Sequence, residues 1–180
     1  MDFTQMPVSQ RYKYLLVMID TFTGWIEGFP TQTEKAEEVE KKLLHEIIPR
    51  FGLSRSLQSD SGASFTSKVT QGVSKALGIT YYLHCAWRPQ SSGKVERANQ
   101  FLKSAIKKIN QATSLGWKEA LPIALLCTHF APKEQVGLSP YEILYGRPFV
   151  YVNDLFLDPE AQSLWSYTMA VGQFQQDIRL

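Results

Sequence analysis

The sequence predicts an α/β domain, a five-stranded mixed sheet flanked by helices. Three observations carry this. An early pair of strand-like runs is separated by a tight turn, and two further short strand runs follow, each associated with a helical pattern. The second half holds long helical periodicities and no further strand signal. At 180 residues, with 44% hydrophobic and 12% aromatic residues, the chain suffices for one domain with a real core.

Residues 2–6 (DFTQM) read as a short strand that stops at Pro7. Residues 12–20 (YKYLLVMID) form a near-continuous apolar run and read as a buried strand. Residues 21–24 make a turn, and residues 25–30 (WIEGFP) return antiparallel. Thr31 and Glu34 have capping-box spacing, so a helix is expected to start there, with Ala36, Val39, Leu43, Leu44, Ile47 and Ile48 on its apolar face. Residues 55–59 (RSLQS) are a short strand leading to Asp60. Residues 65–77 read as a helix stopped by Gly78, and residues 79–84 (ITYYLH) as the fifth strand.

Residues 88–93 (RPQSSG) are a loop by composition. Helices are then expected over residues 95–111 and 117–130, followed by a short one opened by Ser139-Pro140 and closed by Gly146. A last amphipathic helix is expected near residues 160–178. Residues 1–148 form the domain, its first strand truncated at the start, and residues 149–180 a C-terminal linker with that helix. This element order is that of the ribonuclease H-like fold.

Composition says little about chemistry. A net charge of +2 does not announce a nucleic-acid binder, so any such surface must come from local clustering. No apolar run is long enough to cross a bilayer and no secretory signal opens the chain. Cys85 and Cys127 make no disulfide framework, which suits an intracellular protein. His84-Cys85 lacks partners at zinc-site spacing, and His45 and His129 lie far off in sequence. No Ser-His-Asp arrangement is visible.

Acidic residues carry the functional signal. Asp60 ends a strand and opens Asp60-Ser61-Gly62, and Glu96 lies near a helix start, with 35 residues, 61 to 95, between them. Phosphoryl transfer is served by two divalent ions roughly 3.5–4 Å apart, held by a few carboxylates from different elements. Alone, Asp60 would be an ordinary turn residue and Glu96 a glutamate favoured by the helix dipole. On a helical wheel, Val95, Ala98, Leu102, Ala105, Ile106 and Ile109 form a core stripe. Glu96, Asn99, Gln100, Lys103 and Lys107 form another, suited to phosphate and base contacts.

Together, Asp60-Ser61-Gly62-Ala63-Ser64-Phe65 and, after that spacing, Pro89-Gln90-Ser91-Ser92-Gly93-Lys94-Val95-Glu96-Arg97 resemble the signature of retroviral and retrotransposon integrase catalytic cores. DFT, RYKYLLVMIDTFTGWIEGFPT, HCAWRPQSSG and GLSPYEILYGRPF give it a gammaretroviral, endogenous-retroviral flavour over residues 2 to about 148. The resemblance implies Asp2, Asp60 and Glu96 as catalytic residues and metal ligands, with Mg²⁺ or Mn²⁺ as cofactor and two ions once DNA is bound. Asp20, which closes the strongest strand, competes for the first position, but its better reading is a turn residue. The resemblance also implies that Gln90, Ser91 and Lys94 lie near the DNA end, with Asn99, Gln100, Lys103 and Lys107 along it.

The implied activity is DNA 3′-end processing and strand transfer, that is, endonuclease and nucleotidyltransferase chemistry in DNA integration. Partners would be DNA and further copies of the chain, at least a dimer, with no membrane and no small-molecule cofactor. The place of work would be the nucleus if the target is chromosomal DNA. Departures from the pattern are Ser61 and Ala63, where the family usually has Asn and Pro, and residues 126–130 (LCTHF), which replace a stretch usually carrying arginines. The zinc domain that precedes integrase cores and the small barrel that follows are not expected in this chain. A second reading follows from these points: a non-catalytic endogenous-retroviral remnant that keeps the fold and weak nucleic-acid binding. A ribonuclease H shares the fold, but the motif around Glu96 disfavours it.

Overall fold

The computed structural model describes residues 1–60, 62–83, 89–133 and 136–149, with side chains except at 68–71 and 89–92. The helix expected near 160–178 therefore lies outside the described residues. Contacts divide the chain into two units, residues 1–19 with 26–124, and residues 20–25 with the segment from Leu125 onward.

In the first unit, β1 (Asp2–Ser9), β2 (Tyr12–Ile19) and β3 (Ile26–Thr31) form an antiparallel sheet in the order β1-β2-β3. Asp2 pairs with Val17, and Val17 with Gly28. Leu15, Leu16 and Val17 of the central strand have no exposed surface, which explains why that run lacks polar alternation. β1 continues through Pro7 rather than ending before it. The register shifts between Gln5 and Ser9, and an edge strand at such an irregularity tolerates a residue with no N–H to donate.

The first helix, α1 (Ala36–Lys42), starts later than the Thr31/Glu34 spacing predicts, with Lys35 as an N-cap that makes no side-chain bond. Thr31 cannot cap a helix because it is still in β3, paired with Tyr14 and buried. The helix widens into a π segment (Leu43–Ile47), where the Ile48 N–H reaches the Leu43 carbonyl, and continues as α2 (Ile48–Phe51). Pro49 supplies the reason, since it cannot donate to His45 and crowds that carbonyl.

Parallel strands β4 (Ser56–Ser59) and β5 (Thr80–Leu83) flank α3 (Ala63–Thr66) and α4 (Lys68–Ala76). Gly78, at φ +69°, turns the chain out of α4. The expected single five-stranded sheet is not seen among the described residues. Among the described residues there are two ladders, of three and two strands. The bond between them is that of the Met1 amine to the Gln58 carbonyl, 2.8 Å, and one bond does not make a ladder.

Residues 89–93, expected as loop, belong instead to the helix α5 (Pro89–Thr113). Proline is well suited to a first helical turn, whose N–H would have no partner anyway, so the RPQSSG composition misleads. α5 packs on β2 and β1. It buries Val95, Ala98, Leu102 and Ile106, while Ala105 and Ile109 are half-buried. α6 (Trp117–Phe130) follows, and the Trp117 indole N–H donates to the Pro7 carbonyl at 2.8 Å. On the sheet's other side Leu16, Met18, Phe29, Val39, Leu43 and Phe65 form a core cluster.

One ion pair in this unit is half-buried. Glu27, 8% exposed, meets Arg50 at 2.9 Å. Removing the cation takes the charge partner from a desolvated carboxylate, whereas neutralising the carboxylate leaves no buried charge to compensate. Arg50→Ala is therefore expected to cost about 1–3 kcal/mol in urea unfolding, and Glu27→Gln distinctly less.

In the second unit, α7 (Pro140–Tyr145) has the full capping box: the Ser139 hydroxyl accepts from the Glu142 N–H, and the Glu142 carboxylate accepts from the Ser139 N–H. Gly146, at φ +69°, closes it. Trp25 stacks on His129 at 3.6 Å, and Phe130, Tyr141 and Phe149 pack ring against ring.

Candidate functional site

Asp2 opens β1, and Asp60 follows the last residue of β4. The two carboxylates lie within electrostatic reach of one another. Burial first, and the Asp60 charge second, push the Asp2 carboxyl above the ordinary carboxylate range. The Met1 amine beside them is pushed down to about 6, chiefly by its own burial.

Local structure aims each acid. At Asp60, Oδ1 accepts from the Gly62 N–H at 3.0 Å, an Asx-type turn that the Asp-x-Gly spacing announces. A Cβ on Gly62 would sit 3.0 Å from that same oxygen, so this position must stay small for the carboxylate to keep its place. At Asp2, Oδ2 accepts from the Asn99 side-chain N–H at 2.8 Å. Asn99 was expected on the DNA-facing stripe of α5, but it is 7% exposed and turned to Asp2. Its Oδ1 is buried and has no hydrogen-bond partner among the described residues.

Glu96 is exposed on α5, one turn before Asn99. Residues three apart on a helix are surface neighbours, which puts Glu96 beside the Asn99–Asp2 contact. Yet among the described residues no group of three Asp, Glu, His or Cys side chains is close enough to hold an ion. Asp2 and Asp60 thus lie within electrostatic reach of one another, and Glu96 is exposed on the helix that carries Asn99.

Asp20 has a different task. Its Oδ2 accepts from the Thr23 N–H and hydroxyl, at 2.8 and 2.6 Å, and these bonds shape the β2–β3 turn. That is the turn role the sequence favoured for it.

A cation fits what is present. Asp2 is partly desolvated, exposed Asp60 lies within its electrostatic reach, and the Asn99 amide oxygen, also a hard donor, is buried beside Asp2 with no hydrogen-bond partner among the described residues. A buried acceptor with no donor is costly, and a bound ion or its water would satisfy it.

Further along α5, Lys94, Gln100, Lys103 and Lys107 are exposed. Lys103 and Lys107 line a cavity of about 490 Å³ together with Gln5, Pro7, Asn110 and Trp117. These lysines, one helix turn apart, repel each other and have no carboxylate partner among the described residues. The side chains of Gln90 and Ser91 lie outside the described residues, as do Ser61, His84 and Cys85. Nothing in the sequence signalled the Asn99–Asp2 bond, because it joins residues 97 positions apart.

Residues 1–89 match the family described as the integrase core domain. The chain is 48% identical over 185 residues to the Pol polyprotein of radiation murine leukemia virus (strain Kaplan), a match covering 98% of this chain and 31% of that protein. It is 52% identical over 149 residues to the Gag-Pol polyprotein of baboon endogenous virus (strain M7), covering 82% of this chain and 9% of that one. The chain thus spans less than a third of the length of these polyproteins. Among solved structures, the catalytic core domain of BIV integrase is 30% identical with a TM-score of 0.65, over 79% of this chain and 89% of that one. The HTLV-2 integrase catalytic core in complex with magnesium, in a trimeric form, has a TM-score of 0.67 over 78% of this chain and 90% of that one; at 24% identity it speaks for the fold alone.

Proposed function

We propose, for a chain that belongs to the integrase core domain family of retroviral Pol proteins, that it carries out metal-dependent DNA processing and strand transfer. The observation that carries this reading is the electrostatic coupling of Asp2 with Asp60 beside an Asn99 oxygen left without a hydrogen-bond partner among the described residues.

Mg²⁺ or Mn²⁺ bound there would supply charge neutralisation for the attacking and leaving oxygens of the phosphoryl group. Asp2 and Asp60 would hold it, with Glu96 as the third ligand from the adjoining helix turn. Asn99 orients Asp2 by donating to its Oδ2. The Gly62 N–H does the same for Asp60 by donating to its Oδ1. Lys103 and Lys107 would take phosphates of the DNA backbone, since two unpaired like charges on one face favour an anion between them. Strand transfer uses a DNA 3′-hydroxyl as nucleophile, so no protein nucleophile is required. Self-association into at least a dimer belongs to the same reading, and sedimentation velocity measures it.

The test is disintegration of a branched DNA substrate with Mn²⁺. Wild-type product that disappears in Glu96→Gln supports the assignment. Product that survives this change removes Glu96 from the site, and a folded wild type with no product favours the non-catalytic remnant, a reading to which the exposed, ungrouped Glu96 gives some weight. Lys107→Gln should weaken DNA binding across sequences and lower the magnitude of the salt slope by about one, measured by fluorescence anisotropy at several salt concentrations.

A further inference from the structure

Ser59 is polar, 1% exposed, and immediately precedes Asp60. Its hydroxyl donates to the Asp60 carbonyl at 3.0 Å and lies 2.8 Å from the Tyr81 hydroxyl. A serine hydroxyl has one hydrogen, and here it goes to Asp60, so Tyr81 must be the donor to Ser59. The chain of bonds runs Tyr81 O–H to Ser59 Oγ to Asp60 C=O. Strand pairing explains how Tyr81 reaches. It stands opposite Leu57 in the β4–β5 ladder, and residues 57 and 59 share one face, so the phenol extends two residues along the strand to Ser59.

Packing holds the far end. The Tyr81 ring lies against the cluster of Leu16, Phe29 and Phe65, so its position is set by the core rather than by the surface. A leucine or valine at 59 would serve burial better than a serine, and a phenylalanine at 81 would spare a part-buried hydroxyl. What the two hydroxyls add is a fixed direction for the Asp60 peptide, at the point where β4 ends and the chain would otherwise be free to rotate. With the Gly62 N–H holding Oδ1 from the other side, Asp60 is restrained at both its backbone and its carboxylate.

We propose that Tyr81 and Ser59 form a positioning relay that holds Asp60 in the orientation needed to bind a divalent cation. The proposal rests on the metal-site reading above, and the experiment separates the two. Mn²⁺ affinity is followed by electron paramagnetic resonance of the free ion, and folding by thermal melting without metal, for the wild type, Asp60→Asn, Tyr81→Phe, Ser59→Ala and Ser59→Thr. Expected are loss of binding in Asp60→Asn, affinity about fivefold to tenfold weaker in Tyr81→Phe and Ser59→Ala, and recovery toward wild type in Ser59→Thr, which keeps the hydroxyl. Tyr81→Phe retains the ring in the core, so its melting temperature should stay near wild type while affinity falls. Wild-type affinity in both Tyr81→Phe and Ser59→Ala, with Asp60→Asn still inactive in binding, overturns the relay and leaves the metal site standing. No binding by the folded wild type overturns both.

Discussion

Asp60→Asn should abolish strand transfer and, in the absence of metal, make the protein more stable. The activity loss follows from removing one carboxylate of the pair, which withdraws several kcal/mol of charge stabilisation at the reacting phosphate. About 4 kcal/mol corresponds to about a thousandfold in rate. The stability gain follows from the other side of the same geometry. Asp2 has its carboxyl raised by burial and by the Asp60 charge, so the metal-free fold works against two neighbouring negative charges.

The pH dependence has a definite sign. The folded state binds a proton at Asp2 more tightly than the unfolded chain does. Stability therefore falls as pH rises from the ordinary carboxylate pKa through the raised folded one, and the penalty is complete above it. Thermal melts in EDTA over a pH series should show this slope in the wild type and a smaller one in Asp60→Asn. Added Mg²⁺ should raise the wild-type melting temperature at neutral pH and leave that of Asp60→Asn nearly unchanged. An Asp60→Asn variant that melts below wild type in EDTA at neutral pH would contradict the pairing.

Leu102→Ala should be among the most damaging single changes in the core of the first unit. Leu102 has no exposed surface and lies on α5 between Asn99 and Lys103. Truncating it removes buried methyl groups and leaves a cavity against the sheet, at a cost of about 2–5 kcal/mol. Domains of this size have roughly 5–15 kcal/mol in all, so the loss is a large share. Urea unfolding measures it. A cost under about 1 kcal/mol would mean that α5 is not anchored to the sheet by this residue. Because α5 also carries Asn99 and Glu96, metal affinity should fall in the variant even at temperatures where it remains folded.

Local chemistry was legible in the sequence wherever partners are close along the chain. Ser139 and Glu142 are three residues apart and form the capping box, and Asp60 and Gly62 form the turn that the Asp-x-Gly spacing announces. Asp20 was readable as a turn residue for the same reason. What failed was decided at long range. Thr31 has good capping chemistry but is held in β3 by Tyr14, so the helix starts at Ala36. Residues 89–93 have loop composition, yet the backbone there is helical. Asn99 falls on the polar stripe of a helical wheel, and only the position of β1 shows that it faces Asp2 rather than solvent.

The fold class was readable from element order, but the continuity of the sheet was not. β4 is four residues long, and whether so short a strand joins β1 depends on a few backbone bonds that no residue pattern encodes. The family expectation for the acids was likewise met unevenly. Asp2 and Asp60 lie within electrostatic reach of one another, whereas Glu96 stands one helix turn from Asn99, and no group of three acids forms among the described residues.

That discontinuity in the sheet bears on how the acids behave mechanically. Two carboxylates on neighbouring strands of one ladder would be held at a spacing dictated by the hydrogen-bond repeat, about 4.8 Å per strand. Here Asp2 begins a strand of one ladder, and Asp60 follows a strand of the other. The Met1 amine on the Gln58 carbonyl, 2.8 Å, ties the two ladders beside these acids, so their spacing hangs on that bond and the side chains around it rather than on a repeat.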